Sequence, residues 1–208
     1  MRNPFCLLQS KKKSNATIWE ARATAEEAQT KNLDSPDLHF VLYRLAFLQN
    51  DAAGMAQQVA RAADQPGQDE LLGNEADTAA YFGQLRKAWE FFRRAVALAE
   101  RAEQKETAAG YEVDAALREA QFGNAAEAKL RVASALALSA GRDVQYGAAL
   151  ALALTGNSAR AQALGDDLGE RFPEDTVVQF NYQPTLQAKL ALSRNDASKA
   201  IEVQLHGC

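Results

Sequence analysis

The densest run of side chains able to do chemistry reads GDDLGERFPED, with Asp166, Asp167, Glu170, Glu174 and Asp175 inside eleven residues. Carboxylates at this density can hold a divalent cation, but the alternating oxygen ligands of a calcium loop are missing. The run is expected to be a solvated helix face followed by the start of a new helix. His39 and His206 show no metal-ligand spacing with Cys6 or Cys208 and are expected to be solvated or partly packed. Two cysteines at opposite ends make no disulfide framework and are expected to be free thiols. No phosphate-binding Gly-x-x-x-x-Gly-Lys-Ser/Thr occurs. No catalytic residue, cofactor site or metal site is therefore assigned, and the chain is expected not to be an enzyme.

Composition narrows the remaining classes. Alanine makes up about a fifth of the 208 residues, far above ordinary usage, and it is the best helix former because it loses no side-chain entropy. With 23 basic and 27 acidic residues the formal charge is -4, which is not the footprint of a nucleic-acid binder. No apolar run approaches the ~18 residues of a membrane span. The opening MRNPFCLLQSKKK lacks the ~7–15 residue apolar core of a signal peptide. A cytoplasmic location is expected. Residues 1–15 show no periodicity and are expected to form a disordered tail, with the Lys11–Lys13 run solvated.

The elements that must position any site come from repetition. FGNAAEAKLRVASALAL has four cousins: LQNDAAGMAQQVARAA, FGQLRKAWEFFRRAV, LTGNSARAQALGDDL and LSRNDASKAIEVQL. Each holds a turn residue, Asn50, Gly83, Gly123, Gly156 or Asn195, of types that tolerate the left-handed backbone at a helix end. The next residue is Asp51, Gln84, Asn124, Asn157 or Asp196, and four of these are good N-caps. Each anchor is thus a tight turn between two helices. Five residues later stand Met55, Ala88, Ala128, Ala161 and Ala200. Seven earlier stand Tyr43, Ala76, Ala116, Ala149 and Ala188, and nine later Val59, Phe92, Val132, Gly165 and Gln204. Small residues on both sides of the turn let the helices pack closely.

The anchors are spaced alternately about 33 and 40 residues apart. Between the second and third, the extra length is expected to lengthen the helices by about a turn each. Between the fourth and fifth, TVVQFNY has strand propensity, but a lone strand has no partner, so a helix kinked or restarted at Pro184 is expected. Ser35 should cap the first full hairpin, with Pro36 in the first helical position and Asp37 at the positive helix end. ATIWEARATAEEAQTK reads as one further helix before it. Trp19 and Trp89 are expected to pack, and of Phe91 and Phe92 at most one can face a hairpin core.

Helix pairs at a period near 34, small residues at fixed offsets and a closing proline resemble the tetratricopeptide repeat superfamily over about residues 34–205. In the best match, LTGNSARAQALGDDLGERFPED, Gly156, Ala161 and Pro173, with Ala149 just before, occupy the family's small and terminating positions. The family's early tryptophan is absent throughout. Its tyrosine four before the anchor is replaced by Ala46, Ala79, Glu119, Leu152 and Ala191. The resemblance implies an all-α fold: a right-handed α-solenoid of about five antiparallel hairpins, the last truncated, over a single domain at 16–208. SPDLHFVLYRLAFLQNDAAGMAQQVARAA, GRDVQYGAALALALTGN and FPEDTVVQFNYQPTLQAKLALSRNDASKAIE also resemble the repeat region C-terminal to the kinase domain of some bacterial eukaryotic-like serine/threonine kinases. That implies a sensor or docking module of a signalling protein. No kinase motif is present to carry the activity over.

In such a solenoid the first helix of each pair lines the inner face. Counting back ten, six and three from the anchors places Phe40, Arg44, Phe47, Asp77, Val113, Leu117, Tyr146, Leu150, Thr185, Lys189 and Leu192 there. This lining would suit an extended peptide or amphipathic helix, unless part of it only packs helices together. A protein-interaction scaffold for an unidentified protein or peptide is the leading expectation. An enzyme or RNA-binding protein built on a helical array is the alternative. About thirteen residues follow Asn195, too few for a full second helix and a cap. The chain is therefore expected to be a fragment that self-associates at this end, with Leu190, Ile201 and Leu205 uncovered beside Cys208.

Overall fold

The structure, a computed structural model, describes residues 18–28, 30, 31, 33 and 35–206. Cys6, Lys11–Lys13, Cys208, the His206 side chain and the expected tail at 1–15 lie outside the described residues. The described residues are helical, with no strand among them.

Helix α1 covers 18–28. It is followed by α2 (Pro36–Leu48), α3 (Ala52–Ala62), α4 (Gln68–Tyr81), α5 (Leu85–Arg101) and α6 (Lys105–Gln121). Then come α7 (Ala125–Leu138), α8 (Arg142–Leu154), α9 (Ser158–Arg171), a π-helical turn (Val178–Tyr182), α10 (Gln183–Ser193) and α11 (Ala197–His206). The chain forms two compact units, Met1–Phe91 and Phe92–Cys208.

All five anchors have positive φ: Asn50 56°, Gly83 73°, Gly123 83°, Gly156 78° and Asn195 61°. Around each, the same two hydrogen bonds close the preceding helix. Asn50 N donates to Phe47 O at 3.0 Å and Asp51 N to Ala46 O at 2.9 Å; Gly156 N and Asn157 N do the same with Ala153 O and Leu152 O. This is the Schellman motif, which satisfies carbonyls a helix end would leave orphaned. A sixth such turn escaped the repeat pattern: Glu103, at φ 59°, with Gln104 N donating to Ala99 O at 2.9 Å. It separates α5 from α6, the two 17-residue helices, where extra helical length was expected.

The caps are less uniform than the sequence implied. Ser35 accepts from Leu38 N, with Pro36 beginning α2. Asp51 accepts from Gly54 N at 2.8 Å, and Asp196 from Lys199 N at 2.9 Å. Asn124 and Asn157 make no side-chain cap. Asn124 instead donates through Nδ2 to Glu119 Oε2 at 2.6 Å, a charge-assisted bond that turns its amide toward α6.

In the first unit, α2 packs on α3 and α4. Tyr43, Ala62 and Leu71 form a core flanked by Met55 and Val59. Ala79, Ala80 and Ala88 form another, against Leu85 and Phe91. In the second unit, α6 packs on α7 and α8, and α8 on α9 and α10; α10 carries α11. Its main core joins Ala116, Val132, Ala148, Ala149, Leu152, Ala161, Leu186 and Leu190. The alanines expected to allow close packing, Ala76, Ala88, Ala116, Ala128, Ala149, Ala161, Ala188 and Ala200, are all buried. Phe92 is buried and its neighbour Phe91 half-buried.

Three packing expectations are corrected. Trp19 is 62% exposed, since on α1 it falls on the side away from buried Ala25. Leu190, expected to lack cover, is buried beside Leu152 and Leu186 because α10 packs on α8. His39 is buried, its Nδ1 2.9 Å from Gln58 Oε1, so packing against α3 removes it from water.

The carboxylate-rich run folds as its spacing implied. Asp166, Asp167 and Glu170 lie exposed on α9, and Asp175 begins the next helix, accepting from Val177 N and Val178 N at 2.9 and 3.0 Å. TVVQFNY is helical. Pro184 has no N–H for the carbonyl four residues back, and the preceding turn widens, with Gln183 N donating to Val178 O.

Candidate functional site

On α2, Phe40, Arg44 and Phe47 recur at helical spacing along one face. The Arg44 guanidinium lies 4.0 Å from the Phe40 ring centroid, and Nε donates to Asn74 Oδ1 on α4 at 3.2 Å. The arginine is thus held against an aromatic face by a cation–π contact and a hydrogen bond. Phe47 meets Tyr81 edge-on at 5.3 Å and Phe82 at 6.3 Å, and those two rings are 5.2 Å apart. Asp77, one turn before Tyr81, is exposed.

This gathers Phe40, Arg44, Phe47 and Asp77 on packed α2 and α4 of the first unit. It also adds two residues the offsets missed. Tyr81 is 74% and Phe82 56% exposed, an unusual outlay of aromatic surface. They immediately precede the Gly83 turn, positions the count of ten, six and three passes over. The adjacent aromatics in YFG were the available signal.

In the second unit the candidate residues stand on α6, α8 and α10. Val113 is buried among Ala109, Ala135 and Val144, with Gly147 tight against it, so it packs helices together rather than lining a surface. Leu117 and Leu150 are half-buried, as are Thr185 and Lys189, while Leu192 is exposed. Tyr146 is the best-positioned member. Its ring stacks on Tyr182, centroids 3.8 Å apart and planes at 2°.

A charged frame holds the stack. Tyr182 donates to Asp143 Oδ1 at 2.8 Å. Arg142 donates to Asp143 at 2.8 Å and, through a second nitrogen, to Asp175 at 2.8 Å. Burial and the hydrogen bond to Asp143 push the Tyr182 hydroxyl up to about 12. Burial also raises Tyr146. The bond from Arg142 holds Asp143 below the usual carboxylate range, and Arg142 with the backbone does the same to Asp175. Tyr182 was not among the sequence-derived residues: it ends the π-helical turn, and nothing in its spacing from Tyr146 indicates contact.

These surfaces offer aromatic faces, aliphatic edges, one ammonium and several hydroxyls, suited to holding a chain segment by apolar anchoring and hydrogen bonding. Among the described residues, no group of three or more His, Cys, Asp or Glu is placed to hold a metal ion, and no helix is long and apolar enough to cross a membrane. Comparison with known proteins finds no matching family model, no matching characterised protein and no matching solved structure.

Proposed function

We propose that the chain is a non-catalytic protein-interaction scaffold, built from helix hairpins of the tetratricopeptide kind and serving as a docking or sensor module of a bacterial signalling protein such as a serine/threonine kinase. The observation that carries this reading is the side-by-side packing of α6, α8 and α10, with Leu117, Tyr146, Leu150, Thr185 and Lys189 left partly open on them. The recurring Schellman turns at the repeat anchors support the repeat reading. The exposed aromatic group Phe47, Tyr81 and Phe82 gives the first unit its own anchoring surface. The signalling context rests on the sequence resemblance.

Selection of displayed peptides on the full chain tests the reading. Peptides with apolar anchors should be recovered, and their binding should fall about tenfold on Tyr146→Ala or Lys189→Glu, as loss of a well-packed anchor requires. Circular dichroism should show both variants still helical. Failure to enrich any peptide, or binding untouched by both substitutions and by Phe47→Ala, would overturn it.

A further inference from the structure

The second unit has an open cleft of about 720 Å³ between α9, the π-helical turn, α10 and α11. Its lining includes none of the residues of the Tyr146 surface. Pro184 and Val203 give it an apolar floor, and Phe180 lines it while remaining 64% exposed. Phe180 belongs to the π-helical turn, and such turns recur where a helix serves a function rather than packing alone. The volume falls within the range of ligand pockets, roughly 300–1,000 Å³, so the cleft has room for a few side chains of a bound segment.

The polar groups of this cleft are set to accept hydrogen bonds. Asp166 and Glu170, both exposed, line it from α9, and Glu202 lines it from α11. Lys199 is the cation among the lining residues, and it pairs with Glu202 at 3.1 Å. Asp166 accepts from the neutral Gln162 amide at 2.9 Å, and neither Asp166 nor Glu170 has an ion pair among the described residues. Standing four apart on α9, the two carboxylates share a face, with about 5–6 Å between their Cβ atoms. The lining amides are already committed as donors: Gln179 Nε2 donates to Phe172 O at 3.0 Å, and Gln183 Nε2 donates to Gly165 O. Their carbonyl oxygens are left as acceptors, with no partner among the described hydrogen bonds.

An occupant of such a cleft has to bring donors and positive charge, with an apolar part to cover Phe180, Pro184 and Val203. A guanidinium meets the first need better than an ammonium does. Its planar fork of N–H donors matches carboxylate oxygens in pairs and can serve two acidic groups one helical turn apart. We infer that the α9–α11 cleft binds an arginine presented by a peptide segment of a partner protein. The guanidinium is held by Asp166 and Glu170, and an apolar neighbour in the same segment lies against Phe180, Pro184 and Val203. The inference stands independently of the peptide surface around Tyr146.

Pooled capped hexapeptides test this on the full chain. One pool fixes an arginine and varies the other positions; its twin fixes citrulline, which keeps the shape and loses the charge. Peptides retained by the immobilised chain are identified by mass spectrometry. The arginine pool should be retained about tenfold better, with Leu, Ile or Phe enriched close to the arginine, and the margin should shrink in high salt because the carboxylates are exposed. Asp166→Asn with Glu170→Gln should remove the margin, and Phe180→Ala should remove the apolar preference. Glu20→Gln with Glu90→Gln, an equal charge change at exposed carboxylates on α1 and α5, should alter neither. Circular dichroism should show every variant still helical. Equal retention of the two pools, or the same loss in the Glu20 and Glu90 variant, would overturn the proposal. So would a lysine pool retained as well as the arginine pool, since a point charge would then suffice.

Discussion

Tyr146 on α8 and Tyr182 at the end of the π-helical turn lie face to face, ring centroids 3.8 Å apart and planes within 2°. The stack ties α8 to the segment leading into α10, and the hydroxyl of Tyr182 continues the tie to Asp143. Burial comes first, and the bond to Asp143 second, in pushing that hydroxyl up to about 12. A raised value means the folded state favours the protonated phenol. Its contribution is complete below the ordinary value of 10.0 and is lost as pH rises through about 12. An alkaline titration of tyrosine absorbance should show a late component that Tyr182→Phe removes. The same substitution should cost about 0.5–1 kcal/mol at neutral pH, a deficit that shrinks in strong alkali.

Arg142 gives the opposite sign. Asp143 and Asp175 are held below their ordinary value of 3.8, with Arg142 the leading cause in both. The stability they lend is present above that value and disappears as pH falls through their lowered values. Arg142→Gln should therefore be less stable than the parent chain in denaturant at pH 7, and the two should converge in strong acid.

Gly165 and Gly110 should part company. A glycine inside a helix ordinarily costs about 0.5–1 kcal/mol relative to alanine, and that alone predicts a gain for Gly165→Ala. A methyl at Gly165, however, would stand 2.5 Å from Leu186 Cδ2, and Leu186 is 2% exposed within the core. Overpacking there should outweigh the entropy gain and destabilise by about 1 kcal/mol or more. At Gly110, in the interior of α6, a methyl meets nothing within 4 Å. Gly110→Ala should stabilise by about 0.5–1 kcal/mol. Paired thermal melts check both signs.

Glu103 takes the left-handed turn between α5 and α6 with a side chain, at φ 59°. A residue with a Cβ pays about 1 kcal/mol for that conformation. Glu103 is exposed and its backbone already makes the Schellman bonds, so Glu103→Gly should raise the melting temperature by a few degrees, against a small entropy cost.

Ile201 and Leu205 sit one turn apart on α11, 62% and 72% exposed. Self-association through this stripe should appear in sedimentation at rising concentration under reducing conditions. Ile201→Glu with Leu205→Glu should abolish it. A parent chain that stays monomeric throughout would remove this interface.

The helical character and the turn positions were legible in the sequence because both are local. Asn50, Gly83, Gly123, Gly156 and Asn195 take left-handed backbone for reasons of their own side chains, and alanine favours helix wherever it stands. The capping roles of Ser35, Asp51 and Asp196 were legible for the same reason: each acts on a residue three positions away. Glu103 escaped because glutamate is no turn former, and its conformation is imposed by the two helices it joins.

The surfaces depended on contacts between distant segments. Val113 shares the spacing of an inner-face residue, yet α8 comes close enough at Gly147 to bury it. Gly165 reads as a weak helical glycine until Leu186, from α10, fills the space above it. Tyr81 and Phe82 read as a helix end until Phe47 meets them from α2. Backbone conformation follows from torsions and hydrogen bonds within a few residues, which the order of residue types determines. Which side chain is covered follows from the distance between helices, and that distance is set jointly by side chains far apart in the chain.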